Sequence, residues 1–334
     1  MTKAAVIPFL LAALLGLVSF SLRAEQTNSS GEALQLLQKA ASSAQKLIYT
    51  GVFVYQNDSQ TETSRITRLV DGGNEYERLE ALDGSPREVI RYNEEVSCYL
   101  PDDKLVIIER HSARQLFPTF MPRNLAGLTE HYFIRKGVTG RIAGINGLQI
   151  SVEPRDSFRF GHQFWIEPNT GLLLKSKLIG EGGVILESFT FTEVKIGGPV
   201  DMTMVQPKTA PESSELKDSG WTVQRINSNQ VRADSGQWLF KNPLPGFRYV
   251  SGIKKKLRPD APESTQLIFS DGLAAFSVFV EPLAGRTRED ASAFPVGAVN
   301  VYKRQIGDYQ IILMGDIPAV ALRRFGDGIE PRRK

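Results

Sequence analysis

"FSDGLAAFSVFVEP", residues Phe269 to Pro282, predicts a β-hairpin in which one strand has no solvent-facing side. Asp271-Gly272 is a dipeptide typical of a tight turn, and it lies between the apolar runs "STQLIF" and "LAAFSVFVE". One face of the second strand carries Phe276, Val278 and Val280, and the other carries Ala275, Ser277 and Phe279. An antiparallel strand with one face in water alternates apolar with polar residues. We therefore expect both faces to be covered, one by a helix of the same domain and the other by a first domain, a partner or a second copy.

The residues around this hairpin continue the period-two pattern of strands. Further strands are predicted at Phe247 to Leu257, Ala298 to Gln305 and Tyr309 to Gly315. Pro318 is in a first-turn position and predicts a helix to Phe325, and another short helix is predicted from Thr287. The C-terminal part is therefore expected to be a small α/β, sandwich-like domain.

The earlier part of the chain begins with one helix, which a long series of strands follows. The helix is predicted from Ala33 to Leu47, because Ser29 and Glu32 have capping-box spacing and apolar residues recur every three or four positions. From Leu47 to Ile196 the period is two, with roughly ten short strands. This order predicts an α+β fold of mostly antiparallel strands, in which a half-open β-barrel wraps around the helix. Periodicity does not decide whether the space inside is packed or empty.

A change of composition divides the two parts. The stretch "QPKTAPESSELKDSG", Gln206 to Gly220, is rich in Pro, Ser and charge and offers little to bury, so we predict an interdomain linker there. The predicted organisation is a signal peptide at 1–24, the half-barrel domain at 25–205, the linker at 206–220, the C-terminal domain at 221–328 and a basic tail at 329–334.

The first residues have the pattern of a secretory signal peptide, which predicts a periplasmic protein. Lys3 precedes an apolar run from Ala4 to Phe20, and Ala24 stands at the expected cleavage point. The alternative is an uncleaved anchor, because the run approaches the length that spans a bilayer. The only cysteine, Cys98, can form no internal disulfide, and an exported chain without disulfides suits a bacterial periplasm.

Composition and motifs argue against several classes of function. The formal charge is +3 and falls to +1 without Lys3 and Arg23, which is a poor basis for binding nucleic acid. The three histidines are far apart in sequence, and no HExxH, CxxC, GxSxG or Walker motif is present. We therefore predict no catalytic residue, no metal site and no cofactor. A glycosidase remains the enzyme alternative, because its two carboxylates can lie far apart in sequence.

Two features are candidates for ligand binding. The basic run "KKKLR" places Lys254, Lys256 and Arg258 on one side of a strand, where they could hold a phosphate or an acidic partner. The alternative is an edge strand that its lysines protect from pairing. The second feature is a set of aromatic residues in the first domain that could line a lipid cavity or simply fill its core. These candidates are Phe53, Tyr55, Tyr99, Phe133 and Phe164.

Six segments stand out when they are read together in chain order: "YTGVFVY", "WIEPNTGLLLKSKL", "LPGFRYV", "FSDGLAAFSVFVE", "GAVNVYKR" and "MGDIP". Together they resemble the RseB/MucB family of periplasmic sigma-E regulatory proteins. The resemblance covers nearly the whole chain after the leader. Its most specific parts are "SDGLAAFSVFVE", "GAVNVYKR" and "GDIP", whereas "WIEPNTGLLLKSKL" also resembles the periplasmic lipoprotein carriers.

The resemblance implies a regulator that has no enzymatic activity. Family members bind the periplasmic part of a membrane-spanning anti-sigma factor, shield it from the site-1 protease and release it when lipopolysaccharide or another lipid binds. It also implies a lipoprotein-carrier-like first domain with a lipid cavity, and a second domain that makes much of the anti-sigma contact. From the apolar strand and its neighbours we take Phe276, Phe279, Val301 and Tyr302 as candidates for partner binding. A periplasmic lipoprotein or lipid carrier is the main alternative, and self-association into a homo-oligomer stays open.

Overall fold

The computed structural model describes residues 30–57, 60–110, 125, 127–208, 219–226, 231–232, 236–256, 263–283 and 290–332. The predicted signal peptide, most of the linker, the predicted helix at Thr287 and the position of Arg258 lie outside these residues. Within them, no helix is long and apolar enough to cross a membrane. In the same residues, no three His, Cys, Asp or Glu side chains are grouped so that they could hold a metal ion.

The strands and helices are numbered in chain order. The N-terminal ones are α1 (30–43), β1 (Tyr49–Asn57), β2 (Gln60–Asp71), β3 (Asn74–Ala81), β4 (Glu88–Tyr92), β5 (Glu95–Leu100), β6 (Leu105–Arg110), α2 (Leu128–His131), β7 (Tyr132–Ile142), β8 (Ile145–Pro154), β9 (Gly161–Ile166), β10 (Leu173–Ile179), β11 (Ile185–Ile196) and β12 (Thr222–Ile226). The C-terminal ones are β13 (Val231–Arg232), β14 (Trp238–Phe240), β15 (Arg248–Lys256), β16 (Glu263–Ser270), β17 (Ala275–Pro282), β18 (Ser292–Val296), β19 (Val299–Ile306), β20 (Tyr309–Gly315), α3 (Ala319–Asp327) and β21 (Ile329–Pro331). Short 3-10 helices occupy Glu181–Gly183 and Met202–Val205.

The N-terminal domain is built on an open, twelve-stranded sheet. Its strand order is β12-β6-β5-β4-β3-β2-β1-β11-β10-β9-β8-β7, so β12 and β7 are its two edges. All pairings are antiparallel except that of β12 with β6. The mostly antiparallel fold and its open sheet therefore agree with the sequence, while closure of this sheet into a half-barrel stays a prediction.

Helix α1 packs on one face of this sheet, as its apolar spacing predicts. Its buried residues are Ala33, Leu36, Leu37, Ala40 and Ala41. These side chains form one core cluster with residues of β7, β8 and β9, including Ile150, Val152, Phe164 and Ile166. A second cluster lies beside it around Phe53, Phe189 and Phe191 of β1 and β11. The apolar interior is thus supplied by alternate residues of the central strands.

The C-terminal domain is a seven-stranded antiparallel sheet with helix α3 against one face. The strand order is β13-β15-β16-β17-β20-β19-β18, and β14 pairs separately with β21. Pro318 precedes α3, as expected for a residue that fits the start of a helix. Phe325 of α3 meets the rings of Phe269 and Phe276 at centroid distances of 4.9 and 4.8 Å. These contacts form the centre of the C-terminal core.

One strand lies in a different sheet from the one the predicted boundary gives it. Residues Thr222–Ile226 follow the predicted linker, yet they pair in parallel with β6 and extend the N-terminal sheet. Trp221 and Val223 pack against a cluster that contains Tyr99 and Val106. The second sheet begins only at β13, because Trp221 and Val223 complete an apolar surface that the N-terminal strands leave open.

Candidate functional site

The turn of the opening hairpin lies at the junction of the two domains. Residues 271–274 connect β16 to β17, and Gly272 has a φ of 102°, which is strained for residues with a side chain. Asp271 Oδ1 accepts the backbone N–H groups of Leu273 and Ala274 at 2.9 and 2.8 Å. The turn thus fixes its own aspartate, because a short acidic side chain can bond to backbone groups two and three residues ahead.

The second oxygen of Asp271 bonds to the N-terminal domain. Oδ2 accepts Nη1 of Arg159 at 2.6 Å and the hydroxyl of Tyr132 at 2.9 Å. The side chains of Arg159 and Asp271 are both 0% exposed. Burial and the negative charge of Asp271 raise the pKa of Tyr132, so this hydroxyl keeps its proton and remains a donor.

Arg159 lies between β8 and β9 and connects three acceptors. Its Nε donates to Asp156 Oδ1 at 3.1 Å, and its Nη2 donates to the carbonyl oxygen of Pro245 in the C-terminal domain at 2.5 Å. The guanidinium is also 5.0 Å from the ring centroid of Phe247. A buried arginine needs such partners, because an ion without them would be strongly destabilising. We call Arg159, Asp271 and Tyr132 the interdomain latch.

Apolar contacts surround the latch on both sides. Leu273 of the turn packs against the N-terminal core cluster that contains Phe164. In the other direction, Phe158 packs against the C-terminal core, and Ala298 shares a cluster with Phe160 and Leu178. The polar latch therefore lies between apolar contacts that join the two domains.

A small cavity of about 50 Å³ adjoins this interface. The N-terminal domain contributes Tyr55, His162, Phe164, Ser176, Lys177, Leu178, Glu187, Ser188 and Phe189, and the C-terminal domain contributes Leu273 and Asp316. Burial raises the pKa of Asp316 to about 6, to which the charges of Glu187 and Asp271 add. Burial also raises the pKa of Glu187 and lowers that of His162 to about 4. Nε2 of His162 is buried and has no hydrogen-bond partner among the described residues.

The structure brings together only part of the predicted lipid-binding set. Tyr55 and Phe164 line the cavity, and Phe53 lies beside it in the cluster of Phe189. Tyr99 belongs to a separate cluster near β6 and β12. Phe133 is 41% exposed and has the guanidinium of Arg155 3.8 Å from its ring centroid, whereas its neighbours Tyr132 and Ile134 are buried. Phe133 therefore lies on the opposite face of β7 from the core.

The predicted partner-binding residues are mostly internal. Phe276 and Tyr302 are buried in the core beneath α3, and Val301 is buried on the other face of the sheet. Direct contact with a partner through Phe276 or Tyr302 would require that core to open. Phe279 is half-buried and so retains some accessible surface. Both faces of β17 are at least half-buried, as the apolar pattern predicts.

The basic candidates are only partly described. Lys254 is exposed on β15, opposite Val231 of β13 and Thr265 of β16. Lys256 ends the same strand, and its side chain lies outside the described residues, as does the whole of Arg258. Their phosphate-binding role stays a prediction.

Sequence reasoning missed Arg159, Tyr132 and Asp316. Arg159 and Asp271 are 112 residues apart in sequence, and no local pattern pairs them. Asp316 belongs to "MGDIP", one of the segments that carry the family resemblance, but nothing in that run indicates that it faces the other domain. The one usable signal was a turn aspartate inside a hairpin whose second strand has no polar face.

Family models match both domains of the chain. Residues 32–209 match the MucB/RseB N-terminal domain, and residues 232–330 match the MucB/RseB C-terminal domain. The sigma factor AlgU regulatory protein MucB of Pseudomonas aeruginosa is 30% identical over 323 residues, which cover 93% of this chain and 95% of that protein. The sigma-E factor regulatory protein RseB of Escherichia coli is 24% identical over 332 residues, covering 96% of this chain and 97% of that protein.

Solved structures of a relative match this chain over both of its domains. A crystal structure of MucB in complex with MucA(peri) matches with a TM-score of 0.70 and 26% identity, covering 90% of this chain and 100% of that chain. A crystal structure of MucB matches with a TM-score of 0.64 and 27% identity, covering 91% and 99%. The relatives are regulatory proteins, and the chain is a regulator of this kind and not an enzyme.

Proposed function

Because the chain belongs to the MucB/RseB family, we propose that it is a periplasmic negative regulator of a sigma-E-type envelope stress response. In this proposal it binds the periplasmic part of a membrane-spanning anti-sigma factor. The observation that carries it is the match to MucB in complex with MucA(peri), which extends over both domains. A lipoprotein carrier would need only the first domain.

We propose that binding shields the anti-sigma segment from site-1 proteolysis and that a lipid signal ends this protection. Partner and lipid would then be linked through the arrangement of the two domains, each ligand favouring a different one. To release most of the partner, the lipid must bind its preferred arrangement several kcal/mol more tightly than the other. Lipopolysaccharide is the lipid we would test first.

The proposed lipid-binding region is the apolar interior of the N-terminal domain. Tyr55 and Phe164 support it, because they line the cavity at the domain junction. Phe53 also supports this region, because it packs in the adjoining core cluster. The basic cluster of Lys254, Lys256 and Arg258 is proposed to hold the lipid phosphates or an acidic stretch of the partner. For the partner surface we retain Phe279, whose side chain is not fully buried.

The proposal is tested by calorimetry with the purified mature protein. It would be titrated with the periplasmic segment of the anti-sigma factor of its own organism, with and without lipopolysaccharide. We expect binding that the lipid weakens, together with slower cleavage of the bound segment by the site-1 protease.

Two outcomes would contradict this function. If the anti-sigma segment does not bind with or without lipid, the regulatory function is wrong, and a periplasmic lipoprotein or lipid carrier becomes the better hypothesis. If the segment binds but lipopolysaccharide has no effect, anti-sigma binding stands and the lipid signal is wrong.

A further inference from the structure

We propose that Leu273 is a plug in the lipid site, and that an apolar chain enters by displacing it and thereby opens the interdomain latch. This inference rests on the proposed lipid signal and deepens it. It assigns the contact through which the acyl tail of such a lipid changes the arrangement of the domains.

The position of Leu273 is the first step of the argument. It belongs to the C-terminal domain, yet it packs against the N-terminal core and forms one wall of the small cavity. Aromatic and aliphatic walls on the other side come from Tyr55, Phe164, Leu178 and Phe189. A cavity of about 50 Å³ has room for a water molecule or two but not for an acyl chain. In this proposal, displacement of Leu273 adds the space of its side chain to the cavity, and the entering chain occupies that space.

The second step is the short connection between Leu273 and the latch. Both belong to one four-residue turn, and the Asp271 carboxylate accepts the N–H of Leu273 at 2.9 Å. The other oxygen of the same carboxylate bonds to Arg159 and Tyr132. The Asp271 carboxylate therefore fixes the main chain of Leu273 while the latch is closed, and this holds the Leu273 side chain against the N-terminal core. A chain that takes the place of this side chain competes with closure of the latch.

The polar groups in the cavity indicate which part of a lipid enters. Asp316 and Glu187 are acidic, Lys177 is basic, and His162 presents a buried nitrogen that has no hydrogen-bond partner among the described residues. A phosphate or carboxylate head group would meet two acidic side chains and one lysine there, whereas a hydrocarbon tail can contact the aromatic residues. The tail is thus the part that fits, and the head group stays outside.

The latch also favours two separate domain arrangements, docked and open, over a gradual displacement of one domain. When the domains separate, Arg159 and Asp271 both return to water, where each ion is well solvated. In a partly displaced arrangement Arg159 would keep Asp156, but the Asp271 carboxylate would remain buried without its arginine, which is far less favourable. Intermediate arrangements are therefore less favourable than the docked and open ones. A two-state element of this kind is what a ligand can shift.

The first measurement uses cis-parinaric acid, a fluorescent fatty acid, as a probe of the enlarged cavity. Leu273→Ala should bind it at least about fivefold more tightly than the unmutated protein, because the plug is shortened. Leu267→Ala is the matched control, since Leu267 is a fully buried leucine of the C-terminal core and does not line the cavity. An equal gain in both variants would indicate general loosening and would overturn the proposal, as would no gain in Leu273→Ala.

The second measurement follows the domain arrangement in the absence of any partner. Spin labels would be placed at Val184→Cys and Val320→Cys, which are 60% and 49% exposed, in a Cys98→Ala background. Arg159→Met and Asp271→Asn should each raise the ratio of open to docked protein by at least about tenfold. The double variant Arg159→Met/Asp271→Asn should raise the ratio of open to docked protein by less than the product of the two single effects, because it leaves no unpaired ion buried. Arg135→Met removes an exposed pair with Glu153 and should leave the distances unchanged.

Saturation with cis-parinaric acid should shift the unmutated protein towards the distances of Arg159→Met. Probe binding with no change in distance would overturn the coupling, and independent effects of Arg159→Met and Asp271→Asn would overturn the latch. Neither measurement contains an anti-sigma segment. Failure here and failure of the proposed function in the calorimetric titration are therefore distinguishable.

Discussion

The strongest pH prediction concerns Asp316, the aspartate of "MGDIP" at the domain junction. The residue as a whole is half-buried, and its Oδ1 accepts the N–H of Ala275 at 3.3 Å. Burial is the largest cause that raises its pKa from 3.8 to about 6, and the negative charges of Glu187 and Asp271 add to it. The folded protein therefore holds this proton more tightly than the unfolded chain does.

The sign of the effect follows from proton binding. Between pH 4 and pH 6 the folded state binds more protons at Asp316 than the unfolded state does, so the free energy of unfolding falls as pH rises. A shift from 3.8 to about 6 corresponds to up to about 3 kcal/mol at pH 8. Asp316→Asn cannot ionise and keeps an oxygen that accepts the Ala275 N–H. Its free energy of unfolding should be close to that of the unmutated protein at pH 4 and larger at pH 8 by up to about 3 kcal/mol.

Urea unfolding of the two proteins at several pH values between 4 and 8 measures this difference. His162 also titrates in that range, but it is present in both proteins, so its contribution cancels from the difference. Asp308→Asn changes an exposed aspartate of the β19–β20 turn and serves as the control. Its difference in unfolding free energy from the unmutated protein should be the same at every pH of the series. The difference in unfolding free energy between Asp316→Asn and the unmutated protein should increase between pH 4 and pH 6. If it does not, the Asp316 carboxyl is solvated, and the reasoning about the junction is refuted.

Three further predictions concern the latch, the C-terminal core and the basic cluster. Tyr132→Phe removes the 2.9 Å hydrogen bond to Asp271 and should lower the urea-unfolding free energy by about 1.5–3 kcal/mol; an unchanged value would mean that water replaces the hydroxyl. Phe325→Ala empties the centre of the core and should cost about 3–5 kcal/mol in the same assay, and a loss below 1 kcal/mol would contradict the packing described. Lys254→Glu with Lys256→Glu should weaken the release of the anti-sigma segment by lipopolysaccharide, as followed by calorimetry. Unchanged release would remove the cluster from the mechanism.

Local patterns predicted most elements of the fold. The described residues between Tyr49 and Ile196 contain eleven strands where roughly ten were predicted, and β15, β16, β17, β19 and β20 begin and end within a few residues of the predicted positions, whereas β18 was not predicted. Alternation and turn residues act over neighbouring positions, and so the sequence can reveal them. Strand β12 was not predicted, because its partner β6 precedes it by more than 100 residues and its parallel pairing leaves no local mark. The short pair of β14 with β21 was missed for a similar reason.

The candidate site was harder to predict than the fold. The pattern of Phe276 to Val280 correctly indicated that both faces of β17 are covered, but it could not tell which neighbour covers each face. It therefore did not distinguish Phe276 and Tyr302, which pack beneath α3, from residues that a partner could reach. For the aromatic candidates, period two places Phe133 on one of two faces, and only the sheet as a whole decides which of them is internal.

The latch residues explain why a turn so poor in charged residues has so specific a sequence. A buried ion pair contributes little net stability compared with its solvated ions, but burying either ion alone costs about 3–5 kcal/mol. At about 1.4 kcal/mol per factor of ten, that penalty makes partly docked arrangements at least a hundredfold rarer than docked or open ones. The Asp271 carboxylate sets the position of Leu273, and Leu273 closes the cavity, so one short turn can couple occupation of the N-terminal interior to the arrangement of both domains. A turn whose only function was to reverse the chain would not need a fully buried carboxylate with four donors, two of them from another domain.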